Sequence, residues 1–374
     1  MIRRMSKRSP SPPPPPAEPT TTRVTLADIA AAARCSLMTV SRALRSHPSV
    51  ATATRQRIQK LATQLGYRPD PEVARLMGRL RTSRLAGAEV IAWITAEPTR
   101  DGWRRSPASA AIFAGAETQA RRLGYRLEPF WLRERNMTPA RLGGILRSRG
   151  IRGVLVAPMP KSGTCIDADF GWEHFAAACC GFSLAQPRLH RACSQQYQTL
   201  GIAWRELTQR GYTRIGFVLS IESNQRTDGM WLASFLARQH SPALPTTASA
   251  APVFTPANVP PLVMDGWEPA KLLAWFREHQ PDALIGGAAD AALLRANGIR
   301  IPEDCAFAHI NIIGQPAPVA GVNHHMPELG AAALDLVIEQ LNASQTGLPA
   351  VPKMVMVDCA WNEGPGVPPK PLKI

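Results

Sequence analysis

No stretch of the 374 residues stays apolar for the roughly 18 positions that a membrane-spanning helix needs, and no membrane association is expected. The basic start, Met1 to Arg8, has no apolar segment behind it. It does not read as a secretory leader, and the cytoplasm is the expected compartment. Cysteine is sparse: the seven (Cys35, Cys165, Cys179, Cys180, Cys193, Cys305 and Cys359) include no Cys-x-x-Cys, and their odd number suits no closed set of disulfides. They read as reduced, mostly buried thiols. Gly143-Gly144 and Gly286-Gly287 lack the spacing of a phosphate loop. Adjacent His324 and His325 cannot easily share one metal ion, and Cys179-Cys180 near His174 sits in an apolar, strand-like run that reads as core. No nucleophile, base and oxyanion donors converge in the pattern, so neither an enzyme nor a cofactor or metal is expected.

Acid is also scarce, and unevenly so. Residues 1–84 hold 16 Lys/Arg against 4 Asp/Glu, whereas the remaining residues hold 27 against 24. A small basic module on a nearly neutral body is the electrostatic footprint of a nucleic-acid binder, because neutralising phosphate dominates affinity. A membrane-surface helix would instead show a wide apolar face, which this segment lacks.

Residues 1–22, with Pro12 to Pro16 in succession, read as a disordered basic tail, either idle or touching phosphates through Arg3-Arg4 and Lys7-Arg8. Within 23–69 three short helices fit. Thr25-Leu-Ala-Asp28 resembles a capping box, Ser36 is a good N-cap for a helix to about Arg45, and Thr52 to Leu65 is a third, ended by Gly66. Leu26, Ile29, Ala30, Val40, Leu44, Val50, Ile58, Leu61 and Leu65 face inward. Residues 70–86 form a linker with one short helix. From 87 to 362 apolar strands alternate with amphipathic helices, which implies parallel sheets flanked by helices, long enough for two lobes and a cleft. The Gly/Pro-rich residues 363–374 read as a second disordered tail, without the heptads of a coiled coil.

On the second short helix Leu37, Met38 and Arg42 point outward while Val40 and Leu44 point in, the arrangement a helix needs to enter the major groove. Arg42 can donate a bidentate pair to guanine, and Leu37 and Met38 can read thymine methyls and shape. Thr25, Ser36, Thr39, Ser41, Thr54 and Arg55 are phosphate-positioning candidates, although Ser36 serves first as a cap.

Val24-Thr-Leu-Ala-Asp-Ile-Ala30 and Cys35-Ser-Leu-Met-Thr-Val-Ser-Arg42 resemble the DNA-binding head of the lactose-repressor (LacI) family, whose pattern is Val-Thr-x-x-Asp-Ile-Ala, then Val-Ser-x-x-Thr-Val-Ser-Arg. Thr54-Arg55, Leu65-Gly-Tyr-Arg-Pro69 and Val73-Ala-Arg-Leu76 extend the likeness. The resemblance implies an all-α helix-turn-helix head on an α/β, periplasmic-binding-protein-like sensor of two lobes. It implies a dimeric transcription regulator, of repressor type, that binds a near-palindromic DNA operator and responds to a small-molecule effector. It also implies a hinge helix in which Leu76, beside Val73 and Ala74, wedges into the minor groove; packing of Leu76 and Leu80 against a partner hinge is the plainer alternative.

The chain departs from that family at four places. Arg34 stands where the turn usually has Gly, and Ala51 replaces a capping Ser, which costs about 1 kcal/mol unless Thr52 caps instead. In the sensor, Arg226-Thr-Asp-Gly-Met-Trp231 resembles the family's Arg before a Gly-aromatic pair, making Arg226 a candidate effector contact. Ala308-His-Ile-Asn311 stands in place of the acidic turn, with Ile310 at the Asp position, and Gly286-Gly-Ala-Ala-Asp290 replaces an Asn-Asp pair. A sugar pocket is therefore not carried over. Asn311, His324 and His325 remain candidates to line the cleft, and any of five tryptophans (Trp103, Trp131, Trp172, Trp204, Trp231) is either a stacking platform or core.

Overall fold

A computed structural model describes residues 24–44, 50–67, 89–240 and 257–370. Two compact units divide the chain, a head within residues 1–76 and a body within 77–374. The expected 1–22 tail and the linker with Val73, Ala74 and Leu76 lie outside the described residues.

The head is three helices around one small core. Helix α1 (Leu26–Ala33) opens on a reciprocal capping box: Asp28 N–H donates to the Thr25 hydroxyl, and Thr25 N–H to the Asp28 carboxylate at 2.7 Å. Helix α2 (Leu37–Leu44) starts where the Ser36 hydroxyl accepts Thr39 N–H at 3.1 Å. Helix α3 (Thr52–Gln64) closes the bundle, with Ile29, Val40, Ala43 and Ile58 fully buried between the three. Leu65, expected inward, is 38% exposed instead; it lies past the last turn, and Ala62 fills the core one turn earlier.

The body runs through a first lobe, a second, and back. The first passage is β1 (Glu89–Thr95), α4 (Pro107–Arg122), β2 (Tyr125–Trp131), α5 (Pro139–Ser148), β3 (Gly153–Val156), β4 (Thr164–Cys165), β5 (Ala176–Cys180), β6 (Leu184–Gln186) and β7 (His190–Ser194). The chain then crosses to α6 (Gln196–Gln209), β8 (Ile215–Ser220), α7 (Ile221–Arg226), α8 (Met230–His240), β9 (Leu262–Met264), α9 (Pro269–His279), β10 (Ala283–Gly286), α10 (Ala288–Ala296), β11 (Ala306–His309) and β12 (Gly321–Asn323). It returns through α11 (Met326–Ala343) to β13 (Met354–Val357) and crosses once more to β14 (Ala360–Asn362).

Each lobe is a six-stranded sheet, in order β13-β7-β5-β3-β1-β2 and β14-β12-β11-β10-β8-β9, parallel except for the β12–β14 pair. Strands buried on both faces, such as Gly-Val-Leu-Val156 and Ala-Ala-Ala-Cys-Cys180, carry unbroken apolar runs, as a covered parallel sheet requires. The expected alternation of strands and helices is met, and α9, α10, β9 and β12 to β14 add to it.

Lobe 1 depends on one close helix crossing. A Cβ on Gly330 of α11 would lie 1.9 Å from the Ile112 carbonyl oxygen of α4, and one on Gly115 would lie 1.8 Å from that of Pro327. Glycine at both positions lets the backbones touch. Beside them Gln119 donates to Asp335 at 2.6 Å, and buried Gln340 bridges α11 to Ala177 of β5 through its amide.

Residues 363–370, expected as disordered tail, are docked. Val367 is buried, the Tyr212 hydroxyl donates to the Pro368 carbonyl at 2.7 Å, Phe307 N–H donates to Gly366 at 2.9 Å, and Lys370 pairs with Asp282 at 2.6 Å. Gly and Pro exclude a helix there but leave carbonyls that lobe 2 satisfies.

Gly330→Ala is expected to cost about 1–3 kcal/mol in urea unfolding, because backbone must move. Gly144→Ala, whose added methyl meets nothing within 4 Å on α5, is expected to be neutral or stabilising.

Candidate nucleic-acid interface and ligand cavity

The outer face of α2 carries the three side chains expected to face bases. Leu37 and Met38 are 53% and 59% exposed, and Ser41 and exposed Arg42 lie one turn later on the same face. Two large apolar side chains held in water beside an arginine contribute nothing to the head's core, which Val40 and Ala43 fill from the opposite face. Thr39 is half-buried, its hydroxyl 2.9 Å from that of Ser36. Thr25 is exposed, and its hydroxyl donates to Asp28 at 2.7 Å. Those bonds, from the Thr25 backbone and then its side chain, hold the Asp28 carboxyl below its usual range. Thr54 and Arg55 sit half-buried on the first turn of α3, where Arg55 donates to the Thr52 hydroxyl at 3.1 Å.

Both departures in the head have structural consequences. Arg34 adopts φ 50°, ψ 49°, a left-handed conformation in which its Cβ crowds the following carbonyl. The C-terminal carbonyl of Ala33 receives the Arg57 guanidinium at 3.2 Å, which satisfies one of the orphan acceptors of α1. At the start of α3, Ala51 occupies the cap and supplies no side-chain hydrogen bond to the first turn. Arg34→Gly is expected to stabilise the head by about 1 kcal/mol, seen as a higher head transition in calorimetry of the full chain. An unchanged transition would mean that the turn is not strained.

In lobe 2 a cavity of about 290 Å³ opens where β8, β9, β10 and β11 end. Val218, Leu219, Ser220, Met264, Gly287 and Ile310 line it from those strand ends, with Ser223, Trp231, Trp267 and Asp290 from the helices and loops above. The carboxyl ends of parallel strands are where such sheets take ligands, because side chains of successive loops converge there. None of the four expected effector contacts is among the lining residues. Arg226 instead donates to the Met159 carbonyl at 2.9 Å, reaching across to lobe 1, while Glu222 accepts from Ser162 N–H and hydroxyl at 2.9 and 3.0 Å. Asn311 is occupied by Ile313 N–H at 3.0 Å. His324 is buried in the crossing between lobes, and His325, at φ 49°, precedes α11. Ile310, at the family's acidic position, does line the cavity and makes that wall apolar.

Residues 25–70 match the bacterial regulatory proteins of the lacI family, and residues 204–363 match a periplasmic binding protein-like domain. The two matches cover the head and part of the body. Over 108 residues the chain is 37% identical to the HTH-type transcriptional regulator PtxS of Pseudomonas plecoglossicida, a stretch that spans 28% of each protein. Among solved structures it is similar in fold to the transcriptional regulator CelR in complex with cellobiose (TM-score 0.52, 19% identity, 92% of this chain and 100% of that one). It is likewise similar to the lac repressor dimer bound to operator and the anti-inducer ONPF (TM-score 0.52, 15% identity, 93% and 100%). The body has the expected α/β fold of parallel sheets flanked by helices.

The remaining polar candidates are structural. Cys179, Cys180, Cys193 and Cys305 are buried, and burial pushes the Cys179 thiol up to about 11, away from nucleophilic use. Trp103, Trp172 and Trp204 are core, and of the five tryptophans weighed only Trp231 reaches the cavity. His324 donates from Nε2 to the Ile310 carbonyl at 2.9 Å, and its Nδ1 has no partner among the described residues. Burial pulls its pKa down to about 4, and that of His309 to about 4 as well. Both rings stay neutral in the folded body, whereas the unfolded chain takes up protons from about pH 6.5 downward. Stability is therefore whole above that pH and declines down to about pH 4, by about 1.4 kcal/mol per pH unit and ring. Thermal melts from pH 7 to 4.5 are expected to fall less steeply in His324→Gln than in wild type; parallel slopes would show that His324 takes no part.

Proposed function

We propose that this chain is a transcription regulator of repressor type. As a homodimer it binds a near-palindromic DNA operator through two heads, and its affinity changes when a small molecule occupies the body. The observation that carries this is the outer face of α2, where Leu37 and Met38 stand exposed beside Arg42 on a head rich in positive charge. Arg42 reads guanine, Leu37 and Met38 read thymine methyls, and Thr25, Thr39, Ser41, Thr54 and Arg55 position the phosphates, with Ser36 capping the reading helix. Leu76, with Val73 and Ala74, forms the hinge wedge at the dimer centre. Operator and ligand binding by the lac repressor and CelR, whose folds this chain shares, support the pairing of the two roles. An effector that favours one arrangement of the lobes shifts a two-state equilibrium of the hinges and so of operator affinity.

The test is selection of duplexes from a random library by the full-length protein at about 0.15 M salt, where non-specific binding is weakened. The expected product is a palindrome with a flexible pyrimidine–purine step at its centre. Arg42→Ala is then expected to relax preference at one guanine per half-site by about 1–3 kcal/mol. Leu76→Ala is expected to weaken specific binding and reduce bending. Recovery of no motif, or of the same site with equal affinity by both variants, would overturn the assignment.

A further inference from the structure

We propose that the lobe 2 cavity takes a small organic cation with an aromatic body, its charge set against Asp290 and its ring against Trp267 and Trp231. This rests on the reading of the body as an effector sensor and names the chemistry of its ligand.

Three features of the cavity point the same way. The first is a largely apolar wall. Val218, Leu219, Met264 and Ile310 supply apolar walls, and the two hydroxyls present are engaged with each other, Ser220 donating to Ser223 at 2.9 Å while accepting Ser223 N–H at 3.0 Å. Sugar hydroxyls set against those walls would lose water without a partner there.

The second is a carboxylate without a counter-charge. Asp290 is the one ionisable side chain among the lining residues and is 7% exposed. Among the described residues it accepts a single hydrogen bond, from Gly287 N–H at 2.8 Å, and no Lys, Arg or His lies within ion-pair distance. Holding the start of α10 accounts for one oxygen of the carboxylate. It does not offset the cost of burying the charge, which is why burial pushes the Asp290 pKa up to about 6. A cation in the cavity supplies the missing partner.

The third is the pair of tryptophans. Trp267 is 48% exposed at the cavity, and Trp231 carries an indole N–H that is shielded from solvent and, among the described residues, has no partner. Indole faces attract cations more strongly than other aromatic rings do, and they stack on flat ligands.

Tryptamine is the probe, tryptophol its neutral counterpart and glucose the polyol, each titrated calorimetrically into the full-length protein. Tryptamine is expected to bind about tenfold more tightly than tryptophol at pH 7.5, the effect of one compensated charge. Ionised Asp290 is the binding form, so tryptamine affinity is expected to fall about tenfold between pH 7.5 and 5 while tryptophol affinity holds. Asp290→Asn, which keeps an acceptor for Gly287, is expected to abolish both differences, and Trp267→Ala to weaken both ligands. Equal affinity for the two indoles, a flat pH profile in wild type, saturable glucose binding, or no binding of either indole would each overturn the proposal. Operator selection read on the same preparation separates the two readings. A protein that selects DNA but ignores the amine loses only the ligand class, and one that binds the amine but selects no DNA loses the regulator assignment.

Discussion

The body depends on three chain crossings being held in one register. At Ser194–Gln195, His324–His325 and Asp358–Cys359 the backbone leaves one sheet for the other. Gln195 N–H donates to the Val357 carbonyl at 2.9 Å, the Ser194 hydroxyl to the His324 carbonyl at 3.4 Å, and the Thr199 hydroxyl lies 3.2 Å from the Cys359 sulfur. His324 adds its own bond to Ile310, the residue that walls the cavity. Buried polar groups tied this way tolerate little displacement, since each bond lost inside the protein leaves an unsolvated partner. A change at the cavity mouth thus acts on the same short segment that leads into α11 and the close glycine crossing with α4.

The head solves a different problem with fewer residues. Its core is a handful of small and branched side chains, so each helix end matters, and two of those ends are imperfect. The left-handed Arg34 and the uncapped Ala51 are offset in part by α3, which sends Arg57 to the last carbonyl of α1, at Ala33, and Gln59 to the Ala43 carbonyl near the end of α2. Two long polar side chains of α3 thereby fasten the helix pair that presents Leu37, Met38 and Arg42.

In the body, residues that resemble the family by pattern serve other ends. Arg226 has the family's neighbours in sequence, yet its guanidinium goes to lobe 1 carbonyls, and His324 belongs to the crossing rather than to the cavity. Val218, Met264, Trp267 and Asp290 were not legible as site residues. Each is a lone position at the end of a short strand or the start of a helix, and only the order of β9, β8, β10 and β11 in the sheet brings them together. The strand-end rule for parallel sheets is the signal that locates such a cavity once the order is known.

The amino-acid sequence alone determined the head, its three helices, the outward trio on α2, and the parallel α/β character of the body. Those follow from periodicity, capping and charge, which act over a few neighbouring residues. Tertiary structure decided what proximity across the chain decides: that 363–370 docks on lobe 2, that Gly115 and Gly330 meet, and that Asp290 is buried without a cation. Burial and pairing between residues far apart in sequence depend on which surfaces pack together, and no local pattern records that.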